Sequence, residues 1–271
     1  MAAIDPLLLG HSLGQVSGNG ITAHAKPFGA GFVASFSEPP SDPSLGTYRH
    51  QFSWFNHLVM AHRLAIPIAK DWLSLPIDHG FAISSMHLTV RSGSSRPSDV
   101  LAMRFLAERN ARGTAAAVVA RYWARGSGQC CRVETRFQLV PAALAGFIRR
   151  GRNFADFDQV SIDQPQAGLV RIRADRWTFV PGESDRLVDG NRVDHVPALI
   201  LIDRSLDALE QLRGPTFLQS LSARFMHYAD PRHPIEIELD AVGDLHLHQN
   251  GEEIARLNVV AGAGDRASSA V

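Results

Sequence analysis

The sequence predicts an α+β protein built twice over, with two repeats that each wrap an antiparallel sheet around one long helix. Three observations carry this. Runs of strict apolar alternation dominate the chain, two helical segments interrupt them at matching places, and the second half returns to the order of the first.

SMHLTVR puts Met86, Leu88 and Val90 on one face, and CRVETRFQLV does the same with Val133, Phe137 and Leu139. Both read as half-buried antiparallel strands. In the second half GLVRIRADRW alternates through Val170, Ile172 and Ala174, and IEIELDAV through Ile235, Ile237 and Leu239. DLHLHQNGEEIARLNVV holds Asn250-Gly251 between two alternating runs, the dipeptide that a type I′ hairpin turn selects. The helices are expected at about 53–66, stopped by Pro67, and at about 196–213, stopped by Gly214.

Aligning SSMHLTVRSGSSRPSDVLAMRFL with LSARFMHYADPRHPIEIELDAV, and GQCCRVETRFQLV with NGEEIARLNVVAG, gives a weak repeat of about 130 residues. A strand, a long helix and then several antiparallel strands is the order of a hotdog unit, so the chain is expected to be a double hotdog. Residues 1–148 are assigned to the first repeat, with about the first 20 as an extension. Residues 149–163 form the linker, 164–262 the second repeat and 263–271 a disordered tail. The bridge from Pro141 to Asp163 reads as a short helix whose Arg149, Arg150 and Arg152 form a solvated face rather than a binding patch.

With 271 residues, 45% of them hydrophobic, the chain is long enough to bury a large core. Lys plus Arg balances Asp plus Glu at 27 each, so no overall field draws it to nucleic acid or to an anionic membrane. Cys130 and Cys131 are adjacent, a poor geometry for pairing with each other, and the default compartment is a reducing cytoplasm. MAAIDPLLLGHSLGQ lacks the build of a signal peptide, and no apolar run approaches the roughly 18 residues of a membrane span.

The segment NRVDHVPALILIDRSLDALEQL, from Asn191 to Leu212, carries the candidate site. Pro197 suits a first helical turn, and Asp194 or His195 just before it can cap the free N–H groups. From Ala198 to Ile202 every residue is apolar, so the helix is expected to start buried on all sides. Asp203 follows at once, at the border between the apolar stripe and a polar side formed by Arg204, Asp207 and Gln211. Periodicity favours a solvated flank carboxylate. The alternative is a carboxylate facing a slot between the repeats, where it serves as base, acid or water-holder while helix N-terminal N–H groups polarise a carbonyl.

RVDHVPALILID resembles the second-repeat signature of the A-factor biosynthesis hotdog proteins (AfsA type), roughly H-P-x-D-H-V-P-G-M-x-x-x-E-x-x-R-Q, and LPIDHGFAISSMHLTV is similar to that family's strand after the first helix. The resemblance implies condensation of a 3-oxoacyl group, delivered on acyl carrier protein, with a small phosphorylated hydroxyketone on the way to a γ-butyrolactone signal. It matches Asp194, His195, Val196 and Pro197 directly and sets Asp203 at the family's helical Glu. The family's His-Pro is Asn191-Arg192 here, its Gly is Ala198, and its helical Arg falls on Leu206; overlaying the repeats puts Val59 opposite Asp203 and His62 opposite Leu206.

The resulting expectation is an acyltransferase acting on acyl thioesters. Asp203 and His195 are its catalytic residues, and Asn191, Arg192, Asp194, Val196 and His62 bind substrate. The backbone N–H groups of Val196 and its neighbours polarise the carbonyl. No cofactor or metal is expected. The partner is an acyl thioester, on acyl carrier protein or CoA, with a homodimer as the expected assembly. Two alternatives stay open. One is a hotdog thioesterase or dehydratase-like enzyme, the dehydratase being weakened by Asn191 where its His would fall. The other is a non-catalytic acyl-binding scaffold, favoured by Val59 and Leu206.

Other residues carry weaker signals. His57 and His62 lie about 140° apart around a helix and do not make a metal pair. His246 and His248 share one strand face but lack a third ligand, and read as a solvated outer face. GNG at 18–20 and GAG at 29–31 are turns without a dinucleotide-site context. Arg104, Arg109, Arg173 and Arg176 could meet a phosphate, but read as ordinary sheet-surface arginines.

Overall fold

The computed structural model of the protein describes residues 15–18, 21–28, 31–36, 53–75, 80–91, 100–125, 130–141, 144, 168–181, 187–188, 191–192, 195–214 and 217–262. Strands β1 (Gln15–Gly18), β2 (Ile21–Phe28) and β3 (Gly31–Phe36) precede helix α1 (Ser53–Trp72). Four long strands follow it, β4 (Gly80–Arg91), β5 (Val100–Arg109), β6 (Ala115–Arg125) and β7 (Cys130–Val140). The second half repeats the plan with β8 (Val170–Arg173), β9 (Arg176–Phe179) and a small pair, β10 (Leu187–Val188) and β11 (Asn191–Arg192). Helix α2 (Ala198–Arg213) then leads to β12 (Phe217–Phe225), β13 (Ile235–Leu239), β14 (Asp244–Gln249) and β15 (Glu252–Gly262).

All strands except β10 and β11 join one antiparallel sheet in the order β1-β2-β3-β5-β6-β7-β4-β12-β15-β14-β13-β9-β8. Outward from its centre the sequence β4, β7, β6, β5, β3, β2 is mirrored by β12, β15, β14, β13, β9, β8. Each half is a hotdog unit, and the halves join where β4 pairs with β12, Met86 opposite Ala223 and Leu88 opposite Leu221. The fold is a double hotdog. The change of repeat falls between β7 and β8; the basic linker, the tail, GNG in part and GAG in part lie outside the described residues.

The inner sheet face follows the alternation read from sequence. Met86, Leu88, Val133, Phe137, Ile235 and Ile237 are each at most 2% exposed. The hairpin at Asn250-Gly251 has positive φ at both residues, 53° and 81°, as a type I′ turn requires. Val170 and Ile172 depart from expectation, since β8 is the outermost strand beside β9 and both residues stay more than half exposed. Alternation sets which face a residue takes, but an edge strand has less to cover that face.

Helix α1 continues through Pro67 to Trp72 instead of stopping. Proline there removes one i−4 hydrogen bond, at a cost of about 3 kcal/mol. Beyond it Ile68 and Ala69 are buried and Trp72 packs at 5.9 Å from Phe105. Burying Ile68 alone contributes roughly 1.5–3 kcal/mol, so packing against the sheet offsets the loss. Among the described residues no helix is long and apolar enough to cross a membrane, and Cys131 is buried and forms no disulfide.

Candidate active site

Helix α2 starts at Ala198, two residues later than its sequence suggests, and Asp194, one of the two expected caps, lies outside the described residues. Pro197 is the N-cap residue, with φ −59° and ψ 141°, and makes no side-chain cap bond of its own. The extended ψ is what an N-cap needs, so the ring serves just outside the first turn instead of within it. Pro197 O accepts from Ile200 N at 3.0 Å and Leu201 N at 3.3 Å. Ala198 and Leu199 N–H have no acceptor among the described residues. Both N–H groups stand at the positive end of the helix dipole, where a carbonyl oxygen gaining negative charge is favoured.

Val196 does not supply one of them, contrary to expectation. Its N–H is donated to Ala229 O at 2.9 Å, which pins the helix start to the loop after β12. That loop is itself clamped. Gln249, 7% exposed, accepts from Asp230 N at 2.7 Å and donates through Nε2 to Asp230 O at 2.7 Å and His233 O at 3.0 Å. Asp230 also holds Arg232, Oδ2 to Nη2 at 2.6 Å, an ion pair that keeps the Asp230 carboxyl below its usual range against the opposing pull of burial. Met226 N donates to Ile254 O at 2.9 Å and fixes the other end.

His195 sits at this mouth, half-buried, its ring 4.6 Å from that of Tyr228 and tilted by 55°. An imidazole beside the N-terminus of a helix is an arrangement in which a bound carbonyl and a water can meet a base. Asn191 and Arg192 lie on β11, paired with Val188 and Leu187, and bring the chain toward the helix start. Their side chains, all of Asp194 and the side chain of His57 lie outside the described residues.

Asp203 is not a solvated flank residue: it is 0% exposed, and its neighbour Arg204 is 3% exposed. Arg204 Nη1 donates to Asp203 Oδ2 at 3.0 Å and lies 3.5 Å from Asp207 Oδ2 on the half-buried side. The residues from Leu199 to Leu206 are buried without interruption, so the helix is covered on the side its polar residues occupy as well as on the apolar one. Burying either charge alone would cost several kcal/mol, and the pair is what makes both tolerable there. Arg204 is the site residue that sequence periodicity misses, because it falls on the helix side assigned to solvent. Ser205, equally buried, donates to Leu201 O at 2.7 Å.

In the first repeat, Val59 is fully buried on α1, and His62 stacks on Phe137 of β7 at 6.1 Å. The structure thus gathers His195, Val196, Tyr228 and Ala229 at one place and Asp203 with Arg204 at another along the same helix, while the described ring contact of His62 is to the first-repeat sheet. Arg173 and Arg176 are engaged by Asp175 at 2.9 Å and by Glu236 at 3.7 Å, as surface arginines. Arg109 Nη1 donates to Gly113 O at 2.8 Å. His246 is no free surface histidine either; Nδ1 meets Glu253 at 2.7 Å and Nε2 meets Asp240 at 3.1 Å. Among the described residues no group of three metal-ligating side chains converges.

No family model and no curated protein matches the chain. Solved structures do. The chain is similar to a 12:0-ACP thioesterase from Umbellularia californica, with TM-score 0.53 and 12% identity over 87% of this chain and 98% of that one. An acyl-ACP thioesterase from Bacteroides thetaiotaomicron aligns with TM-score 0.51 and 11% identity, covering 85% and 97%. HtdX of Mycobacterium tuberculosis aligns with TM-score 0.51 and 13% identity, covering 85% and 100%. At such low identity these likenesses speak to the fold, and the fold they share with this chain is the hotdog.

Proposed function

We propose that the protein hydrolyses acyl thioesters carried on acyl carrier protein or CoA, with its chemistry at the start of α2. The observation that carries this reading is the start of α2, where the N–H groups of Ala198 and Leu199 have no acceptor among the described residues and half-buried His195 stands three residues before the first turn. The thioester oxygen accepts from those two donors. His195 takes a proton from water as the water attacks the carbonyl carbon, and the negative charge moves onto the cradled oxygen. Collapse of the tetrahedral intermediate breaks the C–S bond, and the proton held by His195 passes to the departing sulfur. The products are a free acid and a thiol, and no cofactor is consumed. Asp203, locked to Arg204, positions the helix and with it both donors. Asn191, Arg192, Asp194 and Val196 shape the mouth, and His62 lines the first-repeat side. The proposed repeats span 1–148 and 164–262. Similarity to two acyl-ACP thioesterases favours hydrolysis over condensation.

The A-factor type of condensation is the second reading, since RVDHVP occupies this same helix start. There an alcohol of the hydroxyketone replaces the attacking water, and the cradle is unchanged. The two separate in one assay. Acyl-CoA and acyl carrier protein thioesters of graded length are incubated with the enzyme, with and without the phosphorylated hydroxyketone, and thiol, acid and ester are measured. Thiol and acid without the ketone support hydrolysis; ester formed only with it supports condensation. His195→Gln is expected to lower hydrolysis about 10²–10⁴-fold with little change in melting temperature. Unchanged turnover in that variant overturns the assignment of the base.

A further inference from the structure

Two hydroxyls in the first repeat take no part in the chemistry above. Tyr122 on β6 is 1% exposed and Thr135 on β7 is 0% exposed, and among the described residues neither oxygen has a hydrogen-bond partner. They are neighbours on the inner sheet face. Tyr122 pairs with Val133 and Thr135 with Ala120, which sets the two side chains one diagonal step apart. Burial pushes the Tyr122 phenol up, and a contact with the Thr135 hydroxyl that falls short of full hydrogen-bond geometry draws it part of the way back.

An unpartnered buried hydroxyl costs about 1–3 kcal/mol, and here two such costs stand side by side. Phenylalanine and valine would fill nearly the same space without either. An oxygen brought from outside the protein would satisfy both groups at once. The surroundings indicate what it is attached to, because the row through Thr135 is otherwise apolar: Ala120 on one side, Met86 on the other, then Ala223 of β12. Two short side chains flank a flexible thioether that repacks readily. From Thr135 to Ala223 is two strand spacings, about 10 Å. Strand β12 then leads to Ala229, the residue that pins the start of α2.

We propose that Tyr122 and Thr135 form a recognition site for an oxygen substituent, hydroxyl or keto, on the acyl chain of the substrate. The inference rests on the acyl-thioester reading and sharpens its substrate class. A phenol donates to either kind of oxygen, and a threonine hydroxyl donates or accepts as needed, so the pair takes both. A plain hydrocarbon chain leaves the two hydroxyls as they stand in the structure. At about two strand spacings from the second repeat, the recognised oxygen lies along the chain and not beside the thioester.

The test compares the wild-type protein with Tyr122→Phe, Thr135→Val and the double variant. Substrates are dodecanoyl-CoA and dodecanoyl-CoA thioesters bearing a hydroxyl or keto group at successive mid-chain carbons, followed by thiol release. Binding of the corresponding free acids is measured by calorimetry, which requires no turnover. The wild type is expected to favour at least one oxygenated chain by about 10–100-fold, and the double variant to lose that preference while handling the plain chain as before. Melting temperatures of the variants are expected to hold or rise, since each substitution removes an unsatisfied group. Equal handling of plain and oxygenated chains by the wild type, or a preference kept in the double variant, means that the pair holds a trapped water only and overturns the proposal. If no thioester is cleaved but the calorimetric preference exists and is lost in the double variant, the recognition site stands and the hydrolytic reading falls.

Discussion

Replacing Asp203 by asparagine keeps the shape of the side chain and removes its charge, which isolates the worth of the buried pair. Arg204 would remain 3% exposed, and among the described residues its remaining carboxylate contact is Asp207 at 3.5 Å, whose side chain is 26% exposed. Breaking a buried pair from one side typically costs about 3–5 kcal/mol, because the surviving charge is left uncompensated. The longer, wetter contact to Asp207 is worth about 0.2–1 kcal/mol by comparison. Asp203→Asn is therefore expected to lose about 3–5 kcal/mol and Asp207→Asn less than about 1, a difference large enough to rank the two contacts. Urea denaturation followed by tryptophan fluorescence measures both, with unchanged m-values as the check that only stability moved. The double replacement Asp203→Leu with Arg204→Met is expected to recover most of the loss, since both charges leave together. If Asp203→Asn falls within about 0.5 kcal/mol of wild type, or costs no more than Asp207→Asn, the pair is not the buried, mutually dependent unit described here.

Three further outcomes follow from separate parts of the molecule. Gln249→Leu removes three hydrogen bonds to the loop that holds Ala229 and Tyr228, and is expected to cost about 2–4 kcal/mol and to speed hydrogen exchange at the Val196 amide; slow exchange in that variant would uncouple the clamp from the site. Gly214 has φ 74° and ψ −176°, a region open in practice to glycine alone, and a Cβ there would meet nothing within 4 Å. Gly214→Ala is thus expected to cost about 1–3 kcal/mol by strain alone, measured as a shift in the denaturation midpoint, and no shift would refute that. For His246, burial lowers the pKa but the hydrogen bonds from Asp240 and Glu253 outweigh it and raise it above 6.5, while Arg256 and His246 hold Glu253 down at about 2. The His246 contribution is full below its unfolded pKa and fades as pH rises through the higher folded value, whereas that of Glu253 is present above its unfolded pKa and fades as pH falls toward about 2. His246→Gln should accordingly lose more stability at about pH 6 than at about pH 9; equal losses in urea melts at the two values would contradict the linkage.

Much of the architecture was legible in the chain because it is written in local period. Alternation with period two placed Met86, Leu88, Val133, Phe137, Ile235 and Ile237 on the buried face, Asn250-Gly251 called for the hairpin, and Gly214 ended the second helix. The order of strands and helices, met twice, sufficed for the double hotdog. Of the polar stretch before Ala198, His195 does lie at the start of α2 with its ring against Tyr228.

What tertiary structure alone decided concerns coverage and partnership, which depend on residues distant in sequence. Periodicity assigned Asp203 and Arg204 to the edge and outside of a helix, yet both are buried, because the helix is covered on that side as well as on the apolar one. It could not foresee that the Val196 N–H would be donated to Ala229 O. Pro67 looked like a stop until the sheet packed against Ile68 beyond it, and Val170 and Ile172 looked half-buried until β8 proved to be an edge. Tyr122 and Thr135 read as ordinary strand residues; only the register of β6 on β7 brings their unpartnered hydroxyls together. A sequence states which way each side chain points from its own backbone, but what waits there to meet it is settled by long-range pairing.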